Sequence, residues 1–134
     1  MSESKVMKIT PQQAKRAIAV LMKSKIPPVL VGPVGCGKTT AIEDLVSALN
    51  KNGINAVLET RILSQMDISN FSLPKEVEGR VHEVCAEWIP LEKDAKEDDP
   101  LTVIFFDELD RCDQMVQNVI LNILLGRKIA NEKM

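Results

Sequence analysis

An α/β sandwich around a parallel sheet is the fold this sequence predicts, and three observations predict it. A short apolar run, Pro28-Val29-Leu30-Val31, fits a buried strand and leads straight into the glycine loop that begins at Gly32. Ala41, Ile42, Leu45, Val46 and Leu49 then follow at helical spacing. A second run, Leu101-Thr102-Val103-Ile104-Phe105-Phe106, is continuously apolar, as expected of a parallel strand covered on both faces. Helical patterns alternating with such runs favour a parallel sheet with right-handed crossovers.

Each element has its own local signal. Residues 1–9 are polar and are expected to form a flexible N-terminus. Thr10-Pro11-Gln12-Gln13 announces a helix, with Thr10 as N-cap, Pro11 at the first helical position and Gln13 reaching back in a capping box. Ala14, Ala17, Ile18, Leu21 and Met22 form its apolar stripe, and Pro27-Pro28 stops it. The helix after the glycine loop should end near Asn52-Gly53. Ala56-Val57-Leu58-Glu59-Thr60 suggests another strand, whereas periodicity over Glu76 to Trp88 fits a helix or a strand pair equally well. Residues 92–99 are a charge run and read as a solvated loop. From Asp113 a last helix carries Val116, Val119, Ile120, Ile123 and Leu124, with Gly126 ending it.

Bulk properties narrow the function classes. A chain of 134 residues suits one compact domain, and 45% hydrophobic with 27% charged residues is ordinary for a globular protein. A net charge of −2 offers no basic field for nucleic acid or anionic membranes. No apolar stretch has the length of a membrane span, and Met1-Ser2-Glu3-Ser4-Lys5 lacks the apolar segment of a secretory signal. Cys36, Cys85 and Cys112 are far apart and odd in number, which points to reduced thiols in a cytoplasmic protein. With His82 as the only histidine, histidine-based metal or triad chemistry is disfavoured.

Residues Gly32-Pro33-Val34-Gly35-Cys36-Gly37-Lys38-Thr39 complete the phosphate-loop pattern G-x-x-x-x-G-K-[ST]. From average glycine usage, chance would produce it in roughly one chain of this length in two hundred. Its glycines let the backbone turn tightly and aim successive N–H groups at phosphate oxygens. Lys38 can reach the β- and γ-phosphates, and the Thr39 hydroxyl can ligate Mg²⁺. The nucleotide-binding set is therefore Gly32, Pro33, Val34, Gly35, Cys36, Gly37, Lys38, Thr39 and Thr40. Asp107 stands at the C-terminal end of a strand, where parallel sheets bind ligands, and is placed to hold the metal together with Thr39. Glu108 beside it suits the general base that orients and deprotonates a water. Lys38 and Glu108 are the candidate catalytic residues, ATP and Mg²⁺ the candidate cofactors.

At these residues the chain resembles the AAA+ ATPases, and more narrowly their MoxR-like, dynein-related branch. Ile26-Pro27-Pro28-Val29-Leu30-Val31-Gly32-Pro33 is similar to that branch's lead into its Walker A loop. Arg61-Ile62-Leu63-Ser64-Gln65-Met66-Asp67 is similar to its segment after the second strand. Asp107-Glu108-Leu109-Asp110-Arg111, Val116-Gln117-Asn118 and Leu125-Gly126-Arg127-Lys128-Ile129 resemble its Walker B strand and the helix after it. The resemblance implies a P-loop NTPase three-layer sandwich and an ATP hydrolase. It also implies a homo-oligomeric ring that remodels a protein client. The branch's acidic residue and glycine near Ser69-Asn70-Phe71-Ser72 are missing. The family's sensor-1 strand, arginine finger and helical lid would follow Met134. The expectation is thus a partial ATPase core over residues 10–134, truncated after the Walker B strand and its helix and without a lid. Two alternatives stand beside it: a nucleotide-binding interaction module with little hydrolysis, and the product of a split or truncated gene.

Other residues carry weaker expectations. Arg111 reads equally as a coupling residue toward a neighbour and as a surface arginine, while Arg127 fits a helix C-terminal cation better than a trans-acting finger. Trp88 and Phe71 read as core or loop anchors, and Cys36 contributes through its backbone. The family resemblance places the adenine near Lys8-Ile9-Thr10.

Overall fold

A computed structural model describes residues 9–24, 26–32, 37–130 and 132–134. The chain divides into two compact units, Met1–Ala56 and Val57–Met134. The expected flexible N-terminus lies, apart from Ile9, outside the described residues.

The first unit is a helix pair. α1 (Pro11–Lys23) starts as its sequence demands: Thr10 Oγ1 accepts from Gln13 N at 3.2 Å, and Gln13 Oε1 accepts from Thr10 N at 2.9 Å. This box satisfies two backbone donors that would otherwise face solvent at the helix start. α2 (Lys38–Lys51) packs on α1, and Lys15 pairs with Asp44 across them at 2.6 Å. Ala14 and Ile18 of α1 and Ala41, Ile42, Leu45 and Val46 of α2 are buried. Asn50 ties the end of α2 to Ala56. Its amide donates to Val46 O and Ala56 O, and its carbonyl accepts from Ala56 N. The expected strand over Pro28–Val31 does not form: residues 26–32 join no ladder among the described residues. Pro27 and Pro28 supply no N–H, and Val29 and Val31 are 62% and 83% exposed, so neither pairing nor burial holds that run as a strand.

The second unit is built on a parallel pair, β1 (Ala56–Ile62) and β4 (Leu101–Asp107), which confirms the α/β class and the parallel sheet. β4 is less covered than its apolar sequence suggests. Val103 is buried, Leu101 is exposed and the rest are half-buried, because β1 is its one ladder neighbour among the described residues. Between them the ambiguous segment resolves as an antiparallel hairpin, β2 (Ser72–Val77) with β3 (Arg80–Cys85). Glu78 and Gly79 turn it with φ of 53° and 76°, the doubly positive geometry that matches the twist of paired strands. The positive φ at Glu78 and Gly79 interrupts the helical alternative, whose residues need negative φ. Residues 92–99 are exposed, with one 3₁₀ turn at Glu92–Asp94.

α3 (Gln114–Gly126) is capped by Asp113, whose carboxylate accepts from Val116 N at 3.0 Å. The helix includes Gly126, and the left-handed residue that ends it is Arg127, φ 49°, with its N–H on Ile123 O. A short hairpin, β5 (Lys128–Ile129) with β6 (Glu132–Lys133), comes next. Val116, Ile120 and Ile123 of α3 enter a core completed by Leu63, Phe71, Ile89 and Ile129. Phe71 is fully buried and meets the Trp88 ring edge-on at 5.7 Å between centroids. Replacing Phe71 by Ala should cost about 3–5 kcal/mol, the usual range for removing a buried phenyl ring. A urea titration followed by Trp88 emission should show that loss as a lower midpoint.

Candidate functional site

Of the expected phosphate-binding set, Pro33, Val34, Gly35 and Cys36 lie outside the described residues; Gly32, Gly37, Lys38, Thr39 and Thr40 belong to the first unit. Gly37 is the N-cap of α2, at φ 91° and ψ 20°. A Cβ there would touch nothing within 4 Å, so glycine is required by the backbone angle and not by space. Having no side chain, Gly37 leaves the first turn without a side-chain cap. The first intrahelical bond runs from Ala41 N to Gly37 O at 2.9 Å, so the N–H groups of Lys38, Thr39 and Thr40 precede the helical ladder. Uncapped amides at the positive end of a helix dipole are suited to anionic oxygen. Lys38 Nζ donates to Gly32 O at 2.7 Å, closing the loop on its own backbone. Thr39 and Thr40 are exposed, and neither hydroxyl is engaged among the described residues. This donor set fits a polyphosphate.

The acidic pair belongs to the second unit. β4 ends at Asp107, whose Oδ1 accepts from Glu108 N at 2.8 Å. That bond turns the chain sharply, and Glu108 takes the left-handed conformation, φ 60° and ψ 40°. For a residue with a Cβ this conformation costs about 1–2 kcal/mol, a strain characteristic of functional positions. Both Glu108 carboxylate oxygens are engaged: Oε2 accepts from the Ser64 hydroxyl, and Oε1 faces Arg111 Nη1 at 3.4 Å. Arg111 N also donates to Glu108 O at 3.0 Å, closing the 3₁₀ turn Leu109–Arg111. Arg111 is thus the glutamate's local partner. Burial raises the Cys112 thiol pKa above its usual value; its Sγ donates to Leu109 O beneath that turn, and it stays protonated. Among the described residues no group of three or more His, Cys, Asp or Glu side chains could hold a metal. A magnesium ion, which takes one or two protein ligands plus phosphate oxygens and waters, needs no such cluster. Thr39 in the first unit and Asp107 in the second are each an oxygen donor of the kind such an ion takes.

Ser64 stands in the segment 61–67, but the sequence by itself assigns it no role. It lies 44 residues from Glu108 in sequence, and its position follows β1 where β1 lies beside β4. A serine in a polar turn carries no signal until the pairing of the strands is known.

An α/β fold with a glycine loop at a helix N-terminus and a carboxylate pair ending a parallel strand defines the P-loop NTPase class. Within it, the chain belongs to the AAA family, the ATPase family associated with various cellular activities, whose profile matches residues 28–133. It is similar to the "ATP-dependent Clp protease ATP-binding subunit ClpL" of Staphylococcus aureus strains USA300 and N315, 29% identical over 87 residues. The strain MRSA252 protein of that name is 28% identical over the same length. These alignments cover 65% of this chain but 12% of each relative, so the chain spans a small part of their length. No solved structure matches. No helix among the described residues is long and apolar enough to cross a membrane.

The strain at Glu108 has a measurable consequence. Gly at this position should be more stable than Ala by about 1 kcal/mol, reversing the order found inside helices, because only glycine adopts a positive φ without cost. Urea midpoints of Glu108→Gly and Glu108→Ala check this; equal midpoints would show that the backbone relaxes.

Proposed function

We propose that the chain binds ATP with Mg²⁺ and hydrolyses it, as part of a MoxR-like AAA+ ATPase that remodels a protein client. Residues 10–134 supply a portion of the ATPase core in this reading. The observation that carries it is the α2 start: a glycine-capped helix end with uncapped amides, and a lysine held on its own loop carbonyl. Lys38 Nζ would exchange Gly32 O for β- and γ-phosphate oxygens, and Gly32, Pro33, Val34, Gly35, Cys36, Gly37, Lys38, Thr39 and Thr40 would form the phosphate-binding set. Thr39 and Asp107 would hold the magnesium ion, which would supply charge neutralisation on the phosphate oxygens. Glu108 accepts a proton from the attacking water, a contribution of about 10²–10⁴ in rate for a well-placed general base. A homo-oligomeric ring and a protein client are supported by family membership and by the ATP-binding-subunit name of the similar proteins.

A second reading, nucleotide binding with little turnover, is favoured by the engagement of both Glu108 oxygens with Ser64 and Arg111. In that state the carboxylate has partners other than water.

Lys38→Ala should abolish ATP binding measured by calorimetry. Glu108→Gln should keep binding and lower phosphate release by about 10²-fold or more. If both variants released phosphate like the parent, the role assignment would be wrong. Tight binding by the parent with negligible release at every protein concentration would select the second reading.

A further inference from the structure

Arg61, near the end of β1, is incompletely satisfied by its neighbours. Its guanidinium lies over the Trp88 ring, 4.4 Å from the centroid, and Nη2 pairs with Glu59. Its Nε is sealed from solvent and has no acceptor among the described residues. Buried donors without partners are uncommon, and each calls for an explanation. Beside Arg61 opens a groove of about 560 Å³, walled also by Thr60, Gln65, Met66, Asn70 and Trp88. That volume is in the range of ligand clefts.

The lining chemistry is one-sided. Arg61 is the only charged side chain among the lining residues. Asn70 spends its side-chain carbonyl on Asp67 N, and its backbone carbonyl accepts from Trp88 Nε1, so its amide nitrogen remains to donate. The groove thus sets one cation and the Asn70 amide donor among neutral polar side chains, which suits an anionic group. Glu59 already offsets the Arg61 charge, which disfavours a dianion such as phosphate and favours a carboxylate. The groove exceeds what a carboxylate alone would fill, and Met66 and the Trp88 ring offer apolar surface for an aliphatic stem. Trp88 is itself fixed, edge-on to Phe71 and to Phe106, so this wall is preformed.

We propose that this groove binds an acidic side chain of a peptide, whose carboxylate takes Arg61 Nη2 in place of Glu59. Glu59 is then an internal occupant that the ligand displaces. This site is separate from the nucleotide reading and does not rest on it.

Trp88 is the only tryptophan and the chain has no tyrosine, so intrinsic emission reports this groove directly. The probes are N-acetyl-Ala-Glu-Ala-amide, its glutamine counterpart, and glutarate, each titrated into the full chain. The glutamate peptide should give a saturable emission change with a Kd on the order of 1 mM. The glutamine peptide should bind at least about tenfold more weakly, having lost the charge-assisted pair. Arg61→Gln should lose the response, whereas Glu59→Gln should tighten binding several-fold by removing the competitor. Since Arg61→Gln removes a stacking partner and its fold must be checked by circular dichroism, the gain of affinity in Glu59→Gln decides independently. Equal binding of the two peptides, or unchanged affinity in Glu59→Gln, overturns the proposal. So does glutarate binding as tightly as the peptide, which would assign the groove to a small dicarboxylate.

Discussion

When two strands lie parallel, the segments leaving their C-terminal ends start from the same side of the sheet. β1 and β4 obey that constraint, and the second unit's chemistry depends on it. The turn after β1 carries Ser64, the turn after β4 carries Glu108, and the two side chains meet although 44 residues separate them. An antiparallel pairing of the same strands would have put these turns at opposite ends. The pairing is supported from one side by three aromatic rings, Phe71, Trp88 and Phe106, each edge-on to the next. Phe106 is the residue before Asp107, so the packing that stabilises the core also positions the acidic pair.

Strain enters where that support ends. Asp107 folds its carboxylate back onto the Glu108 amide, and Glu108 is driven into a conformation usually left to glycine. A penalty of this kind persists only where the surroundings over-determine the backbone. The Asp107 carboxylate, the Leu109–Arg111 turn and the Ser64 hydroxyl together do that. Gly37 meets a similar angular demand in the first unit with no strain, because it has no Cβ. The two positions differ in what they supply: at Gly37 only backbone amides are needed, while at Glu108 the side chain itself is the reactive group in the proposed mechanism.

The groove at Arg61 is a by-product of the same architecture. β1 delivers Arg61 and Glu59, while the chain returning from the β2–β3 hairpin delivers Trp88. The guanidinium rests over an indole that is itself held by Phe71, Phe106 and the Asn70 carbonyl. Family membership does not by itself account for a half-satisfied cation beside a groove.

Much of the molecule was legible locally. Thr10 with Gln13, Gly37 before Lys38, and Asp113 before Val116 each state a helix start within four residues, and each helix begins there. Capping is a contact between near neighbours, so its signal survives without the fold. The glycine-loop and Asp107-Glu108 patterns are likewise local in sequence, and their roles belong to the proposed function. Pro28–Val31 was misread because an apolar run becomes a strand only when a ladder receives it, and its prolines supply no donors. The hairpin stayed undecided because its partner residues, from Ser72↔Cys85 to Val77↔Arg80, are set by the positive φ angles at Glu78 and Gly79. Sequence by itself determined the class and the helix starts, and it supplied the residues of the proposed nucleotide site. Tertiary structure alone decided that Ser64 holds Glu108, that Glu108 is left-handed, and that Arg61 lies on Trp88. These contacts join segments brought together by strand pairing and core packing, and no neighbouring residue in the chain encodes them.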